Sequence, residues 1–267
     1  MKKLIYILTM FVFLAVGCEN TNSETEVNDS SLTYSAASFA GHDAVIVKPS
    51  DLDVTAPLVV IVTDDLELKT RLSPTPAIPE VNFKAAEHCL IGGYTLCIVG
   101  VNDDKDVSFL ATVKEAFPNA SKAYLLSYCN GLAYTAAMQM PDTFAAFGCV
   151  SGAIDVETYK ANNFTKPVSF VHVHATENSV YKWEGVENKS VSVPLSVGAV
   201  VAKNECITFK NTTLLQREGK GRVTCTHYTN SLSGCDVKLY TVQSDNCGWC
   251  DEEFEVYNQI WNFFNVH

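Results

Sequence analysis

The sequence predicts a single α/β domain over residues 35–267, a mostly parallel sheet covered by helices. Short runs rich in Val, Ile and Leu alternate along the chain with helical patterns. No internal repeat interrupts that alternation, and composition shifts only once, after an N-terminal leader. The remaining length suits one sizeable core.

The elements follow in order. HDAVIVKP reads as a strand stopped by Pro49, and APLVVIVTDD as a buried strand ending in two acids. VNFKAAEHCLIGG suits a helix closed by glycines, and YTLCIVGV the strand after it. DVSFLATVKEAFPN places Phe109, Val113 and Phe117 on one helical face. KAYLLSY is a central strand, and GLAYTAAMQM a helix ended by Pro141. FAAFGCVSG and VSFVHVHAT are further buried strands. VKLYTV is the last strand, and DEEFEVYNQIWNFFNV a closing helix with an apolar stripe.

The first residues, MKKLIYILTMFVFLAVGC, join two lysines, an apolar run too short for a comfortable span and a small-residue stop. Residues 1–17 therefore read as a signal peptide, and residues 18–34 as a polar tether. Cys18, directly after the cleavage site, fits either a lipidated anchor or an ordinary secreted chain that begins with cysteine. Secreted or extracytoplasmic placement is expected, with membrane contact only through Cys18. A net charge of -11 with few arginines argues against nucleic acid and anionic membranes. Ten cysteines in an exported chain favour disulfides over metal. Asn28, Asn119, Asn163, Asn188 and Asn211 each open a glycan acceptor triplet, usable in a eukaryotic host.

LLSYCNGLAY, residues 125–134, has the strand, sharp turn and helix start of a nucleophile elbow. Cys129 stands at the nucleophile's place, and Ser127 where the first glycine would be. Together with the order of elements around it, this turn predicts an α/β-hydrolase fold.

From about Ala40 onward the chain resembles the secreted polyhydroxybutyrate depolymerases and feruloyl or acetylxylan esterases. The resemblance rests on SYCNGL for their G-F-S-N-G-G, on MQMPDTFAAFGCVSGA, and on HVHATEN for H-x-H-G-T-x-D. YKWEG then stands for V-P-Y-x-G, and VQSDNCGWC for G-G-G-H-x-W-P. The resemblance implies a serine-esterase ancestry, no cofactor, and a bridge between Cys206 and Cys235. It also puts Tyr181, Trp183 and Trp249 beside the substrate cleft, where a small ester, a polymer chain or a glycan would bind. Core filling is the other reading of those aromatics, and for Trp249 the two weigh equally.

By the same resemblance the triad is degenerate. Cys129 replaces its serine, Asn178 its aspartate and Cys247 its histidine. The oxyanion region would comprise Thr63, Asp64 and Asn130, and carboxylates at Asp64 and Asp65 oppose the negative charge that acyl transfer develops. A thiol is a competent nucleophile only with a base or a lowered pKa. Glu177 is the nearest substitute acid, and His174 the candidate relocated base. The blander reading, which the family's own histidines there favour, makes His172 and His174 buried, locally satisfied strand residues. His227 is assigned to a loop, more remote still.

CGWC, residues 247–250, looks like a redox dithiol, but acidic neighbours oppose thiolate formation. A structural disulfide, between the two or to Cys129, Cys149 or Cys225, is the better reading. The sequence thus points to an exported, catalytically inactive hydrolase homologue acting in binding. An active ester hydrolase using Cys129 is the alternative, and thiol redox chemistry through Cys129, Cys247 and Cys250 a lower one.

Overall fold

The computed structural model describes residues 31–63, 83–101, 106–214, 217–230, 232–246, 248–250 and 252–267. The signal and most of the leader, with Cys18 and Asn28, lie outside the described residues, as do Asp64, Asp65 and Cys247.

Ten strands form one sheet. They are β1 (Leu32–Phe39), β2 (His42–Pro49), β3 (Leu58–Thr63), β4 (Thr95–Gly100), β5 (Ala123–Tyr128), β6 (Ala146–Val150), β7 (Phe170–Ala175), β8 (Thr208–Thr213), β9 (Val223–Thr229) and β10 (Val237–Val242). Their order across the sheet is β1-β2-β4-β3-β5-β6-β7-β10-β9-β8. β4, β3, β5, β6, β7 and β10 run parallel, while β1 and β2 at one side and β9 and β8 at the other are antiparallel. This is the mostly parallel, helix-covered sheet that the sequence predicts.

The parallel strands are buried end to end because helices cover both faces. Every residue of LVVIVT in β3 and FVHVHA in β7 is buried. The helices are α1 (Phe83–Gly92), α2 (Phe109–Glu115), α3 (Leu132–Gln139), α4 (Val156–Ala161), α5 (Val193–Lys203) and α6 (Val256–Asn265). Leu110, Tyr134, Val197 and Val200 pack in the core on one face. Ala85, Cys89, Ile260 and Phe264 pack in the core on the other. Among the described residues no helix is long and apolar enough to cross a membrane.

Two differences from the sequence reading have a local cause. The domain begins at Leu32 rather than residue 35, because Leu32, Thr33 and Tyr34 already pair with Pro49, Lys48 and Val47. His227 is in β9, not a loop, and its Nε2 lies 2.8 Å from Asp236 Oδ2.

Parallel pairing also fixes where a site can form. Thr63, Tyr128, Val150, Ala175 and Val242 all end strands at one edge of the sheet, so the loops after them share that edge. A cavity of about 300 Å³ lined by Leu58, Thr95, Phe117 and Ala120 lies at the opposite edge, by the strand starts.

Candidate functional site

Cys129 occupies a strained elbow. Its φ is 59°, in the left-handed region that a residue with a β-carbon seldom adopts, and its amide donates to the Val150 carbonyl at 3.0 Å. The surroundings over-determine that turn. A β-carbon on Gly131 would lie 2.1 Å from the Ala153 carbonyl oxygen, and one on Gly152 2.0 Å from that of Asn130. The turn and the loop after β6 are therefore in backbone contact, which only glycine permits on either side.

Ser127 explains itself in this setting. It is fully buried, small enough for the turn, and its hydroxyl donates to the Asn130 carbonyl at 3.1 Å. The Cys149 thiol donates to the same oxygen at 3.3 Å, and burial pushes that thiol up to about 12, which makes it a structural group. Ser127→Ala is expected to cost about 1 kcal/mol, the net worth of one buried hydrogen bond. A denaturant midpoint unchanged from wild type would contradict it. Asn130 ties the turn to its neighbours as well. Its Nδ2 donates to the carbonyls of Tyr128 at 3.0 Å and Val62 at 3.4 Å, while its Oδ1 accepts from the Leu132 amide. Thr63, at the end of β3, is buried nearby in the sheet, with its carbonyl accepting from Val101.

His174 is fully committed elsewhere. A chain of hydrogen bonds runs from Tyr134 Oη to His172 Nδ1 at 2.7 Å and from His172 Nε2 to His174 Nδ1 at 3.2 Å. It ends from His174 Nε2 to the Tyr181 carbonyl at 2.6 Å. With both rings protonated on Nε2 and each Nδ1 accepting, these three links are satisfied, and the Gly152 backbone also lies against the His174 ring. Burial, and for His172 the neighbouring ring of His174, holds both residues below the ordinary histidine range, His172 well below. Both are fully buried, and their ring nitrogens are paired within this chain of hydrogen bonds.

Asn178, where the resemblance expects an acid, is a turn anchor. Its Oδ1 accepts from the amides of Val180 at 3.0 Å and Tyr181 at 2.7 Å. It is 3% exposed, and its Nδ2 has no hydrogen-bond partner among the described residues. A donor thus stands where a triad requires an acceptor. Glu177 is exposed, and it lines an open polar cleft of about 550 Å³ with Lys220, Arg222 and Asp245. None of the residues named around the elbow lines that cleft.

The aromatic positions divide. Trp183 is half-buried and meets the His174 ring edge-on at 6.1 Å, which places it beside the relay. Tyr181 contributes its backbone to both His174 and Asn178. Trp249 is 5% exposed and stacked between Tyr128 at 4.6 Å and Tyr257 at 5.0 Å. Trp249 therefore packs within the core cluster on that face, while its buried Nε1 has no hydrogen-bond partner among the described residues.

None of the described cysteines named above forms a disulfide: Cys129, Cys149, Cys206, Cys225, Cys235 and Cys250 are all unbridged. The expected Cys206–Cys235 bond is therefore absent. The two thiols are near enough to interact: burial, Asp236 and the Cys235 sulfur raise the pKa of Cys206, and burial and Asp236 raise that of Cys235.

Three groups that shape the site were missed. Ser151 donates to the Gly248 carbonyl at 2.7 Å and so holds the loop after β10 against β6. Buried Glu253 accepts from Ser244 Oγ at 2.5 Å and Asn246 Nδ2 at 3.3 Å, bracing the same loop from α6's side. Tyr134 starts the histidine relay. None of the three had a sequence signal of its own, since Glu253 follows Asp251 and Glu252 in an acidic run and reads as one more surface acid. Among the described residues no cluster of three His, Cys, Asp or Glu is placed to hold a metal.

No protein-family model matches the sequence, and no curated protein matches it. Solved structures do resemble it. One is a prolyl endopeptidase analysed for inter-domain dynamics in catalysis and specificity, with TM-score 0.55, 10% identity and coverage of 90% of this chain and 39% of that one. Prolyl oligopeptidase B from Galerina marginata gives 0.53 at 10% identity, covering 90% of this chain and 37% of that one. Oligopeptidase B from Leishmania major gives 0.53 at 9% identity, covering 90% and 38%. This chain spans about two fifths of the length of those proteins. At such identity the likeness establishes the fold, and that fold is the α/β-hydrolase fold.

Proposed function

We propose that this α/β-hydrolase-fold protein is an exported, non-catalytic relative of the secreted depolymerases and feruloyl or acetylxylan esterases, acting by binding rather than by hydrolysis. The observation that carries the reading is the state of His174. Both of its ring nitrogens are engaged inside a closed relay, and burial keeps the ring neutral, so it has no lone pair to offer Cys129. Asn178 supports the same reading, since its only acceptor atom already serves two backbone amides. A thiol in a strained elbow cannot draw on a histidine whose two ring nitrogens are already engaged, and a cysteine nucleophile needs such a base or a lowered pKa. The expected ligand is a small ester, a polymer chain or a glycan, and any membrane attachment would pass through Cys18.

One observation favours the second reading, an active ester hydrolase. Cys129 keeps the left-handed backbone and partial exposure of a working nucleophile. Short-chain p-nitrophenyl ester hydrolysis by the mature protein, Cys129→Ala and Cys129→Ser separates the two. Equal, near-background rates in all three are expected. Activity that disappears in Cys129→Ala would establish a cysteine hydrolase and end the binding reading.

A further inference from the structure

At one end of the sheet lies an edge strand that nothing covers among the described residues. β8 pairs with β9 on one side only, and all six of its residues are exposed. Edge strands are ordinarily blunted by proline, a bulge, several charges or a covering loop, because their open backbone groups recruit other strands. TFKNTT has no proline and a single lysine. Apolar side chains gather at the same end of the hairpin: Ile207 is 82% exposed, Phe209 67% and Leu232 90%. Phe209 meets the Tyr228 ring at 6.0 Å.

We infer that β8 pairs antiparallel with β8 of a second copy of this chain, across a two-fold axis normal to the sheet. Such an axis must pass through a residue, because residues facing each other across an antiparallel pair lie on the same side of the sheet. An axis through Lys210 would put two ammonium groups in opposition, which is unfavourable. An axis through Asn211 sets Asn211 opposite its own mate, where two amides can bond. It also sets Lys210 opposite Thr212, Phe209 opposite Thr213, and Thr208 opposite Leu214. No like charges meet in that register, and the Phe209 ring gains a threonine methyl. In this register the strand meets its own copy without repulsion. The contact is small beside standard stable interfaces, and each copy carries a net charge of -11, so the dimer is weak and strengthens with added salt.

The test uses protein made in a bacterial host and analytical ultracentrifugation up to high-micromolar concentration. A monomer–dimer equilibrium favoured by salt is expected. Asn211→Lys places like charges on the axis of an exposed strand and should leave a monomer with an unchanged melting temperature. Asn211→Cys under mild oxidation should form a covalent dimer roughly tenfold faster than Lys210→Cys, because only the axial residue faces its own mate within disulfide reach. A monomer at every concentration overturns the inference. So do equal cross-linking rates, a dimer that survives Asn211→Lys, or an N-linked glycan found on Asn211.

Discussion

Gly131→Ala is expected to lower stability by about 3 kcal/mol, the upper part of the range for forced overpacking. In a domain of this size that corresponds to a fall in melting temperature of about 6–12 °C. The cause is steric alone. Gly131 has φ −100° and ψ 10°, which any residue can adopt, so alanine incurs no conformational penalty there. The added carbon, however, meets the Ala153 carbonyl oxygen at 2.1 Å and its carbon at 3.0 Å. Both are backbone atoms, and neither has a rotamer to yield. Relief requires the elbow to move away from the loop after β6, which would also stretch the bonds that Ser127 and Cys149 make to Asn130. Gly198→Ala supplies the opposite control. Gly198 lies inside α5 with nothing within 4 Å of a new β-carbon, so alanine should stabilise by about 0.5–1 kcal/mol. Thermal unfolding of the two variants decides the matter. Similar, small changes in both would mean that the elbow is looser than the contact implies.

Acidification should unfold the protein through its buried histidines. His172 and His174 both have folded pKa values below the ordinary value, chiefly because burial penalises the charged ring. The unfolded chain therefore binds more protons than the native one once the pH falls below about 6.5. Stability is fully present above that value and is lost as the pH falls through it. Each suppressed histidine contributes a slope of up to about 1.4 kcal/mol per pH unit, so the pair could remove up to about 4 kcal/mol between pH 7 and pH 5. Protonation of His174 on Nδ1 would also set two N–H groups against each other at the 3.2 Å contact with His172 Nε2. Replacing His172 by Leu together with Tyr134→Phe removes one titrating ring without leaving the tyrosine hydroxyl unpartnered. That double variant should show a clearly shallower decline in its urea midpoint with falling pH. A wild-type midpoint that stays flat from pH 7 to 5 would refute the argument. His88 adds to the same trend, since burial also lowers its pKa.

The elements that the sequence made legible are those whose burial is written in their composition. β3, β5, β6, β7 and β10 are short apolar runs, and α6 carries its stripe of Val256, Ile260, Phe263 and Phe264. β8 was not legible, because an edge strand exposed on both sides needs no apolar pattern. β1 was read as tether up to Tyr34, because its middle residues face solvent and only Leu32 and Phe39 are buried. α5, VPLSVGAVVAK, was missed for a different reason. Its β-branched residues suit a strand, and the Ser192 cap that starts it shows only when its hydroxyl is seen accepting from Leu195.

The sequence by itself determined the α/β-hydrolase fold and the position of Cys129 at the turn after β5, since both follow from local pattern and element order. The tertiary structure decided what each candidate group does there. Whether His174 is a base depends on His172, Tyr134 and the Tyr181 carbonyl, and the ring of Tyr134 comes from a helix nearly forty residues away. Whether Trp249 lines a cleft depends on Tyr128 and Tyr257 closing over it from β5 and α6. Whether Cys206 and Cys235 are joined depends on how the chain between them brings the two sulfurs together, and the structure leaves them unbridged. A residue's type limits the chemistry it can perform, but protonation, hydrogen-bond commitment and access are set by neighbours that are distant in the chain.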